Sequence, residues 1–254
     1  MHTRLQRLGL LLLGLASLAA ADAALARKSH HQKERAQAAT QRAEFDYYLL
    51  SLSWSPSFCT THPQERDQCD GQGYGFVLHG LWPQYMSGNG PQHCPTQARP
   101  DAATVQRALA VSPSRTLIQH EWQTHGACTG LSPAQYFADA ERAYAAIRIP
   151  PVIGEAHTPP RLSAFDVVDA FVAANPGLSR DMLAVKCDGM KLSEVRVCLS
   201  RDLQPQRCGA RVATPCRAGT LQIPLARDGR VPRATGEGRD ARGRATQERL
   251  PDAQ

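Results

Sequence analysis

Two short segments concentrate the side chains able to move protons. They are His79-Gly80-Leu81-Trp82-Pro83-Gln84 and His120-Glu121-Trp122-Gln123-Thr124-His125-Gly126-Ala127-Cys128. On a helix, at roughly 100° per residue, Glu121 and His125 are about 40° apart, so carboxylate and imidazole share a face. His120 and His125 diverge by about 140°. A zinc protease needs its two histidines four residues apart to converge on one metal, and the extra residue here argues against a metal centre. Acid–base chemistry remains. Imidazole titrates near about 6.5, so one histidine can accept a proton while another donates one. A single histidine is more often a hydrogen-bonded core or surface residue, but two such motifs together make that reading fail.

The two segments resemble the signature motifs H-G-L-W-P and H-E-W-x-K-H-G-x-C of the ribonuclease T2 family of secreted, metal-independent endoribonucleases. The likeness extends to residues 48–59, similar to the family's N-terminal strand, and to residues 192–198, similar to its late L-x-E-I-x-x-C strand. It thus covers about residues 45–225. The resemblance implies an α+β fold, with a central antiparallel sheet packed against several helices and stapled by disulfides. It also implies cleavage of single-stranded RNA by transesterification to 2′,3′-cyclic phosphate ends, with RNA as partner and no cofactor. Such a reaction removes the 2′-OH proton, stabilises charge on the pentacovalent phosphate and protonates the departing 5′-oxygen. By resemblance His125 is the general base, His79 the general acid and His120 a phosphate-binding group. Glu121 supports the transition state or orienting of His125, and Trp82 stacks on a base. DNA lacks the nucleophile and is expected to survive.

Two positions depart from the family pattern. Thr124 stands where the family carries lysine and offers a hydroxyl but no charge to the phosphate, so a catalytically weakened RNA-binding relative of the same fold is the alternative reading. Arg115, on the same helix, is a candidate substitute cation. Gln84 stands where some relatives carry an aspartate that reads adenine, and a neutral amide there predicts low base specificity. The family's pairing implies disulfides Cys94 with Cys128, Cys187 with Cys216 and Cys198 with Cys208, which leaves Cys59 with Cys69. Spacing alone leaves the connectivity open. Cys128 as a nucleophile beside His125 is the disfavoured alternative.

The elements that must position these groups read as strands early, helices in the middle and strands at the end. Residues 45–54 alternate, with Tyr48, Leu50, Leu52 and Trp54 on one face, and residues 74–79 form a short apolar strand that ends at His79. Ser132 and Pro133 open a helix carrying Tyr136, Phe137, Ala140, Tyr144 and Ile147. Ser163, with Asp166 three residues on, opens another that stops at Asn175-Pro176-Gly177. Residues 149–160, rich in proline, are expected to be a surface loop. Residues 182–187, 191–199 and 220–225 read as strands.

Composition sets the compartment. The 254 residues are 42% hydrophobic and 20% charged, which excludes disorder for the chain as a whole. Arg4 and Arg7 precede an apolar run at 8–20, about 13 residues long where spanning a bilayer takes about 20, so residues 1–26 read as a cleaved signal peptide rather than an anchor. No other stretch is long and apolar enough to span a membrane. Eight cysteines agree with export to a secreted or periplasmic location. Residues 27–43 read as a flexible linker, 44–225 as the catalytic domain and 226–254 as a disordered tail. Residues 227–254 hold seven Arg against five Asp and Glu, too small an excess for an RNA-binding arm. The net charge of +6 fits a polyanionic partner without deciding it. Nothing in the sequence points to an obligate protein partner, and a monomer is expected.

Overall fold

The computed structural model describes residues 44–216 and 219–226. The expected leader, linker and tail lie outside the described residues, apart from Ala226. The chain begins with β1 (Tyr47–Trp54), α1 (Ser55–Thr61), α2 (Arg66–Cys69) and β2 (Phe76–Gln84). Helices α3 (Ala102–Ala108), α4 (Arg115–Thr124), α5 (Pro133–Ala145), α6 (Pro151–Gly154) and α7 (Ala164–Ala174) follow, then β3 (Leu183–Asp188) and β4 (Lys191–Leu199). The strands pair antiparallel in the order β2-β1-β4-β3, which is the α+β arrangement expected from the sequence.

β1 is an inner strand buried on both faces. Tyr48, Leu50, Leu52 and Trp54 enter the main core with α5 and α7, while Tyr47 and Leu49 pack with Cys198 in a smaller cluster. The sequence alternation identified the first face but not the covering of the second. β2 lies at the sheet edge, and its free side is covered: Tyr136 Oη donates to Leu81 O at 3.0 Å and Tyr144 Oη to Phe76 O at 2.9 Å. Leu78 N donates to Val111 O at 2.9 Å. These bonds blunt an edge that would otherwise recruit another strand.

Three sequence expectations change. The strand expected to end at His79 continues to Gln84, carrying Gly80 to Pro83 within it; a proline is tolerated there because β2 is an edge strand with no strand among the described residues paired on its outer side. Residues 149–160 are not all loop, because Pro150 and Pro151 start the short helix α6, which buries Ile153. Residues 220–225 form no ladder strand. Leu221 and Ile223 are buried, but the backbone is held by an isolated bridge between Lys191 and Gln222 and by single bonds, Leu221 N donating to Leu162 O and Pro224 O accepting from Trp54 Nε1, rather than by a ladder. Alternation there reported burial rather than pairing. The expected Ser132 and Ser163 caps are present, each as a capping box with the residue three positions on.

Four disulfides join Cys59 to Cys69, Cys94 to Cys128, Cys187 to Cys216 and Cys198 to Cys208, the pairs implied by the resemblance. Cys128 is therefore no free nucleophile. Among the described residues, no helix is long and apolar enough to cross a membrane.

Candidate active site

His79 is placed by an irregularity in the sheet. The pairing of β1 with β2 runs Ser51 opposite Gly80 and then Leu52 opposite Leu78, so His79 is the extra residue of a β-bulge. Bulges re-aim a side chain at the cost of one ladder position. On the other side of β1, Ser51 lies opposite Arg196 and Ser53 opposite Glu194. His79 and Glu194 are thus two strands apart, roughly 10 Å across the sheet. The small serines between them on β1 leave room for the side chains to meet. His79 Nδ1 donates to Glu194 Oε1 at 2.8 Å, and Arg196 holds the other oxygen, Oε2, through Nε at 2.8 Å and Nη2 at 2.7 Å.

The second motif comes from α4. Ser114 caps the helix by accepting from Leu117 N, and Ile118 and Trp122 are buried. That anchored face also turns Glu121 inward, and His125 follows as the C-cap residue. Glu121 Oε1 lies 3.6 Å from His79 Nε2, and Trp82 Nε1 donates to Glu121 Oε2 at 2.7 Å. A Cβ at Gly80 would overlap Glu121 Oε2 and Trp82 Nε1, so only glycine fits between the two motifs. The Trp82 ring lies 5.2 Å from that of His125 and 5.1 Å from that of His79, and the Arg196 guanidinium is 4.8 Å from its centroid.

These surroundings push the titrating groups apart. For His79, burial opposes the charged form, but the hydrogen bond and charge of Glu194, with the charge of Glu121, outweigh it and raise the pKa. For His125, burial and the like charges of His120, His79 and His93 lower the pKa to about 4. Its Nδ1 is buried without a hydrogen-bond partner among the described residues. Burial raises Glu121 to about 7 against the opposing pull of His79 and Trp82. Glu194 is held at about 2, because His79 and Arg196 together overcome the burial that would raise it.

The structure therefore brings His79, Trp82, Glu121 and His125 together. His120 is exposed on the same helix and lines a cavity of about 460 Å³ with His79, Glu194, Ser53, Phe58 and Leu117. Thr124 is buried, with Oγ1 3.5 Å from His120 Nε2. Gln84 spends both ends of its amide on backbone: Nε2 donates to Pro83 O and Oε1 accepts from Gly90 N. Arg115 does not replace the missing lysine. It opens α4 and Thr124 closes it, about 14 Å away along the axis.

Three residues were missed by sequence reasoning. Glu194 and Arg196 were seen only as parts of a strand. His93 was not considered; its backbone takes φ +55 and its N–H donates to Thr124 O at 2.8 Å, which sets it one residue from the disulfide of Cys94.

A model of the Ribonuclease T2 family matches residues 45–208. The chain belongs to the ribonuclease T2 family. Among this family's curated proteins, a ribonuclease of Aeromonas hydrophila is 53% identical over 96 residues, covering 38% of this chain and 43% of the relative. A probable ribonuclease of Haemophilus influenzae is 34% identical over 124 residues, covering 43% and 46%. The chain thus spans less than half the length of these two relatives. Among solved structures, an RNase-related protein from Calystegia sepium superposes with a TM-score of 0.59 at 24% identity, over 72% of this chain and 98% of that one. That likeness places the T2 family fold on the chain.

Proposed function

We propose that the protein is a metal-independent endoribonuclease that cleaves single-stranded RNA by transesterification. His125, neutral above about pH 4, takes the proton of the 2′-OH as its oxygen attacks phosphorus. The bond from phosphorus to the 5′-oxygen breaks, and His79 Nε2 gives its proton to that departing oxygen. The products are a 2′,3′-cyclic phosphate and a free 5′-OH. Glu121, with its pKa raised to about 7, is protonated at acid pH and donates to a phosphoryl oxygen where a carboxylate would repel it. His120 adds a further contact to the phosphate.

The observation that carries this reading is the opposite poise of two imidazoles in one site. His79 is bound to a carboxylate that favours its proton, and His125 is buried away from any such partner. Displacing two titrating groups in opposite directions assigns one as acid and the other as base. The leaving nucleotide occupies the cavity beside His79, between the apolar walls of Phe58 and Leu117. Broad base specificity accords with Gln84, whose amide is satisfied within the chain. Trp82 serves chiefly to hold Glu121, since a base stacking on its ring competes with Arg196. Four disulfides accord with a secreted or periplasmic location.

The test is cleavage of mixed-sequence RNA by the oxidised protein in excess EDTA, with end-group analysis and a fully 2′-deoxy control. Cyclic phosphate ends from RNA alone are expected. RNA binding without cleavage at any pH would replace the enzyme with an RNA-binding relative.

A further inference from the structure

The paired helices α1 and α2, stapled by Cys59–Cys69, separate two clefts. One is the cavity of His79 and His120, onto which Phe58 and Glu65 face. On the other side lies a larger cleft of about 650 Å³, lined by Ser55, Thr60, Arg66, Asp70, Tyr74 and the glycine turn at Gly71. Gln68 lines both. It is buried and fixed, its Nε2 donating to Ser55 Oγ at 2.9 Å, so it forms a wall shared by the two clefts.

The chemistry of the larger cleft suits a nucleotide. Arg66 is exposed and in no ion pair among the described residues, Asp70 included. Lys191, which is not itself a lining residue, donates from Nζ to Thr60 Oγ1 at 2.8 Å, so a second cation lies beside that lining hydroxyl, and Asp70 is the one carboxylate among the lining residues. Tyr74 presents a half-buried ring to the same space. Gly71 has φ +70, and a Cβ there would meet nothing within 4 Å, so that wall is open backbone. A guanidinium binds a phosphodiester, and an aromatic ring stacks on any base.

We propose that this cleft is a remote subsite for the RNA substrate, holding a nucleotide on the 3′ side of the scissile bond and beyond the leaving nucleotide. Arg66 and Lys191 take its phosphate and Tyr74 its base. The direction follows from His79. As the acid for the departing 5′-oxygen it marks its own cavity as the leaving side, and the larger cleft lies on the far side of Gln68 from that cavity. The inference rests on the ribonuclease reading and adds where the rest of the strand goes.

The experiment uses oligonucleotides with one cleavable ribonucleotide in an otherwise 2′-deoxy strand, extended one residue at a time in either direction from a dinucleotide. With the native protein, kcat/KM is expected to rise roughly 5- to 50-fold over the second and third 3′ nucleotides, and not on 5′ extension. Arg66→Glu and Tyr74→Ser are expected to abolish most of that gain while leaving dinucleotide cleavage unchanged, because neither residue touches the histidines. A flat length series with normal dinucleotide cleavage overturns the subsite alone. So does a gain that survives both substitutions, or one that follows 5′ extension. Absence of cleavage from every substrate overturns the ribonuclease reading, and the subsite with it.

Discussion

His79 on β2 and Glu194 on β4 meet across β1 at 2.8 Å, 115 residues apart in sequence. Nδ1 is committed to the carboxylate, which in the proposed reaction leaves Nε2 to donate. Glu194→Gln keeps the shape but removes the charge that favours the imidazolium. The expected outcome is a loss of kcat of about 10- to 100-fold, with the alkaline limb of the pH–rate profile moved to lower pH. An unchanged limb would separate Glu194 from the acid.

The same pair contributes stability with a defined pH window. Glu194 is held at about 2, below its unfolded value, so its contribution is present above the unfolded value and lost as pH falls towards about 2. His79 is raised, so its contribution is full below the unfolded value and lost as pH rises through the folded one. The difference in Tm between the native protein and Glu194→Gln should therefore peak between roughly pH 4.5 and 6.5. Thermal melts that show a constant difference from pH 2 to 8 would remove the pair from the stability account.

Activity should follow a bell. In the proposed reaction His125 must be neutral and His79 and Glu121 protonated, so kcat/KM is expected to fall as pH drops through about 4 and again as pH rises through about 7, where Glu121 ionises, and through the raised value of His79. The optimum is acidic. Replacing either histidine with alanine should cost about 100- to 10,000-fold, His125→Ala removing the acid limb and His79→Ala leaving only the alkaline limb of Glu121. A profile that rises monotonically to alkaline pH would contradict these roles.

The two histidine motifs could be read from the sequence because their signals are local: Glu121 and His125 fall four residues apart at the end of one helix, and serine caps with nearby proline mark where helices begin. The Glu194 contact could not. It depends on a bulge at His79 that a two-residue period cannot report, and on Ser51 and Ser53 of a third strand being small. Continuation of β2 through Pro83 was hidden for a related reason. Proline reads as a stop until the strand is known to lie at an edge, and edge position is a property of the whole sheet. Leu221 and Ile223 show the converse error, a burial pattern without a ladder.

Thr124 has no charge to offer, and its hydroxyl lies 3.5 Å from His120 Nε2. The other cation at the site, Arg196, is already bound to Glu194 Oε2. Thr124→Lys is therefore expected to raise kcat by about 10- to 150-fold, the worth of one added charge–phosphate hydrogen bond. Steady-state rates across pH decide it; an unchanged rate would show that no cation is lacking.

Gly80 is the narrowest point between the two motifs. Gly80→Ala places a methyl group onto Glu121 Oε2 and Trp82 Nε1, so the 2.7 Å bond between them must open and Glu121 must withdraw from His79. The overpacking should cost about 1 to 3 kcal/mol of stability. The displaced carboxyl should lower kcat by a larger factor than it raises KM, because in the proposed reaction it contacts the phosphate in the transition state. Denaturant melts and steady-state kinetics on the same preparation test both parts. Native stability and native kcat together would mean that the strand shifts freely there and that glycine is not required for the approach of β2 to α4.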